Sequence, residues 1–204
     1  MRRILLIFLL LVLTLVAWTA VCADDNFYVV PAMKGNYAPV PKTGQTQGYA
    51  AGDDGALQKG VAWPNPRFTD NQNGTVTDNL TGLIWLKNAN AFGMKTWADA
   101  MTTANGLKSG DAGTGLTDGS KAGDWRLPNV RELQSLLDYG RSYPALPENH
   151  LFTELVWGSY YWTSTTCAWD SVLAFDVAIG GNAIADPYEK TNADDYVWCV
   201  RGGR

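Results

Sequence analysis

Apolar and polar positions follow a strand-like period in the first and last parts of the folded region and a helical period between them. Two short β-rich runs, 67–70 and 75–78, flank the turn Asn73–Gly74. An Asn-Gly pair between such runs is a strong signal for a β-hairpin. The apolar run 83–86 predicts a third strand directly after the hairpin.

Two segments with helical spacing follow, and each opens with a capping signal. The first helix is predicted to begin at Thr96 and to fray at Asn105–Gly106. The second is predicted to begin at Asn129, with Glu132 completing a capping box, and to stop at Gly140. The stretch between the two helices is rich in Gly, Ser, Asp and Thr and is expected to be a loop.

The last third of the chain is predicted to form β-strands. Its strands are predicted at 160–165, 171–179, 183–185 and 196–201. A hairpin, then two helices, then an antiparallel meander is the element order of an α+β domain. We therefore expect two helices packed on twisted antiparallel sheets with long loops.

The first 23 residues have the pattern of a secretory signal peptide. Arg2 and Arg3 precede an unbroken apolar run, and small residues end the segment before Asp24. An uncleaved membrane anchor and lipidation of Cys22 are the alternatives. Cleavage predicts a secreted, periplasmic or cell-surface protein with no membrane insertion afterwards.

The next segment, 24–62, carries many Pro and Gly residues and little periodic pattern. It is predicted to be an extended N-terminal tail or linker, and the alternative is ordered irregular chain that wraps the domain. The folded domain is expected to occupy 63–204.

Charge and composition exclude several functions. After signal cleavage the chain has 14 basic and 20 acidic residues, a net charge of −6 with no run of Lys or Arg, which disfavours nucleic acid as a partner. The nine Trp contrast with a single His, so no two-His metal site exists within one chain. Most Trp fall in predicted elements and are expected in the core, whereas Trp157 and Trp169 lie in loops and are candidates for an exposed stacking surface.

Two cysteines, Cys167 and Cys199, remain after cleavage, an even number in an oxidising compartment. A disulfide between them is therefore expected. The alternative is a redox or nucleophilic pair, but no His or cluster of cations lies near in sequence to lower a thiol pKa.

Four motifs occur in an order that resembles the Lcl C-terminal domain family of bacterial exported domains. They are the stretch 67–85, the run Asp124–Asn129 with 131–133 after it, the run Tyr161–Thr165, and the run Val197–Gly203. The resemblance implies a C-type lectin-like fold. Within these motifs we expect structural roles for Trp85, Trp125, Arg126, Pro128, Glu132, Trp162 and Arg201, with Arg126 bonded to carbonyls or to an acid such as Glu132.

No catalytic residues are predicted. His150 lies in a polar turn, and a surface position is favoured over a catalytic one. A carboxylate pair stays open, because six acids lie between 170 and 195, but the sequence singles out no two of them. The six are Asp170, Asp176, Asp186, Glu189, Asp194 and Asp195.

The resemblance implies ligand recognition through loops late in the chain. The residues expected to bind are Trp169, Asp170, Asn182, Asp186, Tyr188, Glu189 and Asn192. We expect a binding or adhesion module for a glycan or a protein ligand at the cell exterior, and no cofactor, calcium being the one ion that these oxygens would suit. Alternatives are a structural subunit of a surface fibre, with homo-oligomers open, and a catalyst resembling formylglycine-generating enzymes.

Overall fold

The computed structural model describes residues 40–181, 183 and 185–202. The predicted signal peptide, residues 24–39 of the predicted linker, and Asn182 lie outside the described residues. No helix among the residues described is long and apolar enough to cross a bilayer.

The predicted hairpin and the strand after it form the first sheet. The hairpin loop is held by hydrogen bonds of its own polar side chains, since Asp70 accepts from the Gln72 amide and Asn73 accepts from the Thr75 hydroxyl. Gly74 has φ +83°, and a Cβ there would lie 2.4 Å from the Gly115 carbonyl oxygen, so glycine is required. The order is β1-β2-β3-β9, all antiparallel, with β1 Phe68–Asp70, β2 Thr75–Asp78, β3 Ile84–Leu86 and β9 Val200–Arg201.

The second sheet has the order β4-β8-β5-β6-β7. Its pairs are antiparallel except β5 with β8, which run parallel through Tyr161 and Tyr196. The α+β class is confirmed, and the sheets are antiparallel apart from that one pair. The strands are β4 Met94–Lys95, β5 Tyr161–Thr166, β6 Leu173–Val177, β7 Ala185–Glu189 and β8 Asp195–Tyr196.

The described residues form three helices: α1 Asp54–Leu57, α2 Trp97–Gly106 and α3 Val130–Gln134. Thr96 caps α2 by accepting from the Asp99 amide, as its spacing predicts. Asn129 and Glu132 form the predicted capping box of α3. The expectation that α3 runs to Gly140 is wrong, because the chain leaves the helix after Gln134 and turns through residues 135–139.

The single strand predicted at 196–201 is two strands in different sheets. Asp195–Tyr196 joins the second sheet as β8, and Val200–Arg201 joins the first as β9. The buried residues 197–199 cross between the sheets. In the sequence the largely apolar run 196–201 predicts one buried strand. The structure shows two strands, because the two ends of the run pair with strands of different sheets.

Aromatic residues fill the core where the chain crosses. The Trp198 ring lies 5.5 Å from Trp85 of the first sheet and 5.5 Å from Tyr161 of the second, centroid to centroid. Its indole nitrogen donates to the Leu86 carbonyl at 2.7 Å. Trp85, Trp125, Trp162 and Trp198 are all fully buried, as core residues are expected to be.

The run Asp124–Asn129 attaches α3 to the rest of the domain. Arg126 donates two hydrogen bonds to the Glu132 carboxylate at 2.7 and 2.8 Å, the partner that the sequence suggested. Pro128 is buried, and its carbonyl accepts from the Ser164 amide of β5. Arg201 pairs with Asp118 at 3.0 Å, with its guanidinium over the Trp125 ring.

The expected disulfide is not present in the structure: Cys167 and Cys199 are free, buried thiols. Cys199 lies beside β3, where its carbonyl accepts from the Leu86 amide. Cys167 lies at the far end of β5, where its amide donates to the Leu173 carbonyl. The two cysteines lie next to strands of different sheets, β3 and β5, and counting cysteines along the chain does not reveal which strands they adjoin.

Residues 40–62 are irregular chain apart from α1. A parallel bridge between Pro41 and Val61 closes this segment into a loop. The Tyr139 amide donates to the Thr43 carbonyl at 2.9 Å, which attaches the loop to the segment after α3.

Candidate functional site

Five of the seven predicted binding residues lie at one end of the hairpin formed by β6 and β7. There Leu173 pairs with Glu189, and the Lys190 amide donates to the Val172 carbonyl. These contacts bring the loop before β6 against the turn after β7. We call this area the hairpin-end surface, and it comprises Trp169, Asp170, Val172, Tyr188, Glu189 and Asn192.

Trp169 is the most prominent side chain of this surface. The residue is 69% exposed, and its ring meets the Phe175 ring edge-on at 5.8 Å. Asp170 beside it accepts from the Val172 amide at 3.0 Å, which shapes the loop. A large ring is thus supported along one edge, and most of its surface faces solvent.

Lys190, which the sequence did not single out, fixes the geometry of this surface. Its ammonium donates to the Thr166 hydroxyl at 2.8 Å and to the Ser171 carbonyl at 2.9 Å. It also lies 4.2 Å from the centre of the Trp97 ring, a cation–π distance. One lysine therefore connects β5, the loop before β6, and α2.

Tyr188 and Asn192 occupy the side of the surface nearest to β8. The Tyr188 hydroxyl donates to Asp194 at 2.9 Å, and the Asn192 amide donates to the Glu189 carbonyl at 3.0 Å. The hydrogen bond to Asp194 raises the pKa of Tyr188. Tyr188 therefore stays a neutral phenol at neutral pH.

Asp186 does not join this surface. It lies farther along β7, opposite Asp176 of β6, and is exposed. Asn182, the remaining predicted residue, lies outside the described residues.

Two of the six acids form a buried pair. Asp176 of β6 and Asp195 of β8 are 2% and 3% exposed. One carboxyl oxygen of each, Oδ1 of Asp176 and Oδ2 of Asp195, has no hydrogen-bond partner among the described residues. Two carboxyl groups that face each other without a cation require at least one proton between them.

The pKa values of the pair follow from that geometry. Burial and the charge of Asp195 raise the pKa of Asp176 to about 8, and burial raises the pKa of Asp195 to about 6. Alternation in β6 placed Asp176 on the same face as Ala174, which is a signal for an inward acid. The partner was not predictable, because Asp195 comes from a different strand.

Within the part of the chain that the structure describes, no group of three or more His, Cys, Asp or Glu side chains could hold a metal ion. The hairpin-end surface offers an exposed aromatic ring with carboxylate and amide groups around it. The buried pair lies out of solvent, so its chemistry is proton sharing rather than ligand contact.

A family profile for the Lcl C-terminal domain matches residues 74–201, which is more than half of the chain and runs from the first hairpin turn to the last strand. The chain belongs to the Lcl C-terminal domain family. The hairpin-end surface and the buried carboxyl pair both lie within the matched part of this Lcl C-terminal domain protein. No curated protein and no solved structure matches the chain.

Proposed function

We propose that this Lcl C-terminal domain protein is an exported binding module that recognises a glycan or a protein ligand through its hairpin-end surface. The observation that carries the proposal is Trp169, a large ring held in place and left 69% exposed. Rings in this situation are typical of recognition sites, because burial on a ligand removes apolar area from water.

The groups around Trp169 suit a polyhydroxylated ligand. The ring can pack against the C–H face of a sugar, and the carboxylates of Asp170 and Glu189 accept hydrogen bonds from hydroxyl groups. The contacts of Lys190 hold the surrounding loop before the ligand arrives, which lowers the entropy cost of binding.

The pKa shifts of the two cysteines and the single histidine favour a binding function over a catalytic one. Burial raises the pKa of both Cys167 and Cys199, so little thiolate is present at neutral pH. Burial lowers the pKa of His150, whose ring stacks on Phe152 with centroids 6.2 Å apart. None of these three residues belongs to the hairpin-end surface.

The C-type lectin-like fold is part of the same proposal. Support comes from the first sheet, where strands from the beginning of the domain pair with β9 at its end. Two short helices, long loops and the five strands of the second sheet lie between β3 and β9 along the chain. An experimental structure superposed on C-type lectin-like domains tests this part, and a different strand order in the first sheet would contradict it.

Export and a role in adhesion are supported by the predicted signal peptide at 1–23. Amino-terminal sequencing of the protein secreted by a bacterial host tests that prediction. A first residue at Asp24 is expected, whereas an intact Met1 in a membrane fraction would favour the uncleaved anchor.

Glycan-array binding of the mature protein tests the ligand proposal, with and without EDTA. We expect Trp169→Ala to weaken binding about tenfold or more, because it removes the exposed ring. The matched control is Trp157→Ala, since Trp157 is 75% exposed in another loop and stacks on Tyr143. Equal loss in both variants, or no loss with Trp169→Ala, would contradict the proposal, and loss only with EDTA would show that calcium takes part.

A further inference from the structure

A cleft lies between the segment 42–68 and the loop 138–149, on residues that the binding prediction did not include. It has two adjoining cavities of about 400 and 350 Å³. Three residues, Trp63, Asp138 and Glu148, line both cavities. Volumes in this range are typical of sites for small ligands.

Backbone contacts fix the two sides of the cleft relative to each other. The Tyr139 amide donates to the Thr43 carbonyl, and the Thr43 hydroxyl donates to Asp54 of α1. Gly44 has φ +95°, and a Cβ there would lie 2.2 Å from Oδ1 of Asp138 and 2.7 Å from the Trp63 ring. The absence of a side chain at Gly44 therefore lets the backbone approach these two residues closely.

Trp63 supplies an aromatic wall. Its indole nitrogen donates to the Lys42 carbonyl at 3.0 Å, and the Arg67 guanidinium lies 4.5 Å from the ring centre. The ring is half-buried, so its position is fixed while part of it remains open to the cleft.

Asp138 supplies an unused hydrogen-bond acceptor. The residue is 8% exposed, and its Oδ1 accepts from the Gly140 amide at 2.9 Å. Its Oδ2 accepts no hydrogen bond from any residue that the structure describes. A nearly buried carboxylate that lines a cavity and keeps one free oxygen is suited to accept from a ligand hydroxyl.

The charges of the cleft balance apart from that of Arg67 in the second cavity, whose guanidinium is paired with the buried Asp78. Lys42 and Arg141 oppose Asp138 and Glu148, and Arg141 lies 3.8 Å from Glu148 at the rim. A polyanion would meet two carboxylates in an acidic protein, and a polycation would meet two cations. The remaining polar groups are the uncharged side chains of Gln45, Thr46 and Gln58 in the first cavity and of Asn65 and Asn149 in the second.

We propose that this cleft binds an uncharged oligosaccharide, with Trp63 stacking on a sugar ring and Asp138 accepting from its hydroxyl groups. The two cavities provide room for consecutive sugar units. The inference rests on the proposed function in that the ligand is a glycan, but it uses residues separate from the hairpin-end surface.

The test is a titration of the ¹⁵N-labelled mature protein with chitotriose, cellotriose and maltotriose, observing the indole resonances and measuring affinity by calorimetry. At least one trisaccharide is expected to shift the Trp63 indole signal at about 10 mM, a concentration ten times a 1 mM dissociation constant. Asp138→Asn should weaken that binding roughly tenfold, because a charged acceptor is lost.

Glu154→Gln is the matched control, because Glu154 is an exposed acid outside the residues that line either cavity, and it should leave affinity unchanged. If Asp138→Asn does not fold, Glu148→Gln at the exposed rim replaces it, with a smaller loss expected. A Trp63 signal that none of the three sugars moves overturns the inference. Glycan-array binding abolished by Trp169→Ala alongside an unmoved Trp63 signal would leave the proposed function standing and reject only this cleft.

Discussion

Both sheets bury aspartates, but Asp78 of the first sheet faces a cation and Asp176 of the second faces another acid. Asp78 of β2 is fully buried and accepts from the Arg67 guanidinium at 3.0 and 3.3 Å, the Leu80 amide and the Thr81 hydroxyl. Asp176 of β6 is 2% exposed and faces a second acid. Burial removes water from both carboxyl groups alike. The neighbouring group therefore decides whether a buried carboxyl group is ionised or protonated.

The largest expected effect comes from removing the cation of the first sheet. Arg67→Met leaves the Asp78 carboxylate buried without its ion-pair partner, which we expect to lower the free energy of unfolding by about 3–5 kcal/mol. Guanidinium denaturation measures the loss. The double variant Arg67→Met/Asp78→Asn should recover more than half of it, because no charge is then stranded. A single-variant loss below about 1 kcal/mol would contradict the importance of this pair.

A pH dependence of stability is expected from the second sheet. Unfolded aspartates have a pKa near 4, whereas the folded pair has values of about 6 and about 8. The folded state therefore holds extra protons, and its contribution is fully present below pH 4 and is lost as pH rises through 6 and 8. Between pH 6 and pH 8 stability should fall by up to about 1.4 kcal/mol per pH unit.

Asp176→Asn isolates this effect. The amide cannot ionise and can donate to Asp195, so the fall between pH 6 and pH 8 should flatten. Thermal unfolding of wild type and variant across pH 5 to 9 measures it, with Glu154→Gln as the control, because Glu154 is an exposed acid outside the second sheet. Parallel pH profiles for wild type and Asp176→Asn would show that the pair does not share a proton.

A smaller effect on stability is expected from substitution of a buried cysteine, and thiol labelling tests whether the two cysteines are free. Both thiols should react with maleimide in the denatured protein without added reductant, because neither is bonded. Cys199→Ser should cost about 1–3 kcal/mol of unfolding free energy, because it places a hydroxyl in a fully buried site. Mass spectrometry of the labelled chain measures the first result, and a mass with no label at Cys167 and Cys199 would restore the disulfide.

The smallest effect concerns a second arginine–acid pair with the same geometry and less burial. The Arg126 and Glu132 side chains are 38% and 17% exposed. Burial opposes ionisation of Glu132, yet hydrogen bonds from Arg126 and Asn129 hold its pKa below the ordinary value. Arg126→Met should cost about 1 kcal/mol or less in denaturation experiments, since solvent screens the pair. A loss equal to that of Arg67→Met would show that geometry, rather than burial, sets the energy.

Local contacts were the predictable part of this fold. The capping box of Asn129 and Glu132 and the turn at Asn73–Gly74 involve groups within four residues of one another, and both were expected from spacing alone. Glu132, which lies six residues after Arg126, was also named as its partner. The four buried Trp were assigned to the core because they lie in the motif elements.

The candidate site was predicted in part. Trp169, Asp170, Tyr188, Glu189 and Asn192 do come together, since β6 and β7 are neighbours in sequence and form a hairpin. The cleft at Trp63 was missed, because segment 42–63 lacks periodicity and its contacts are with residues about 75 to 100 positions later.

The sequence by itself determined the α+β class, the helix starts, the first hairpin and the family, because these depend on short-range patterns and on motifs in order. The tertiary structure alone decided that residues 196–201 divide between two sheets, that Cys167 and Cys199 stay unbonded, and that Asp176 meets Asp195. Each of these depends on which distant strand becomes a neighbour, and the local periodicity of one strand does not record its partner.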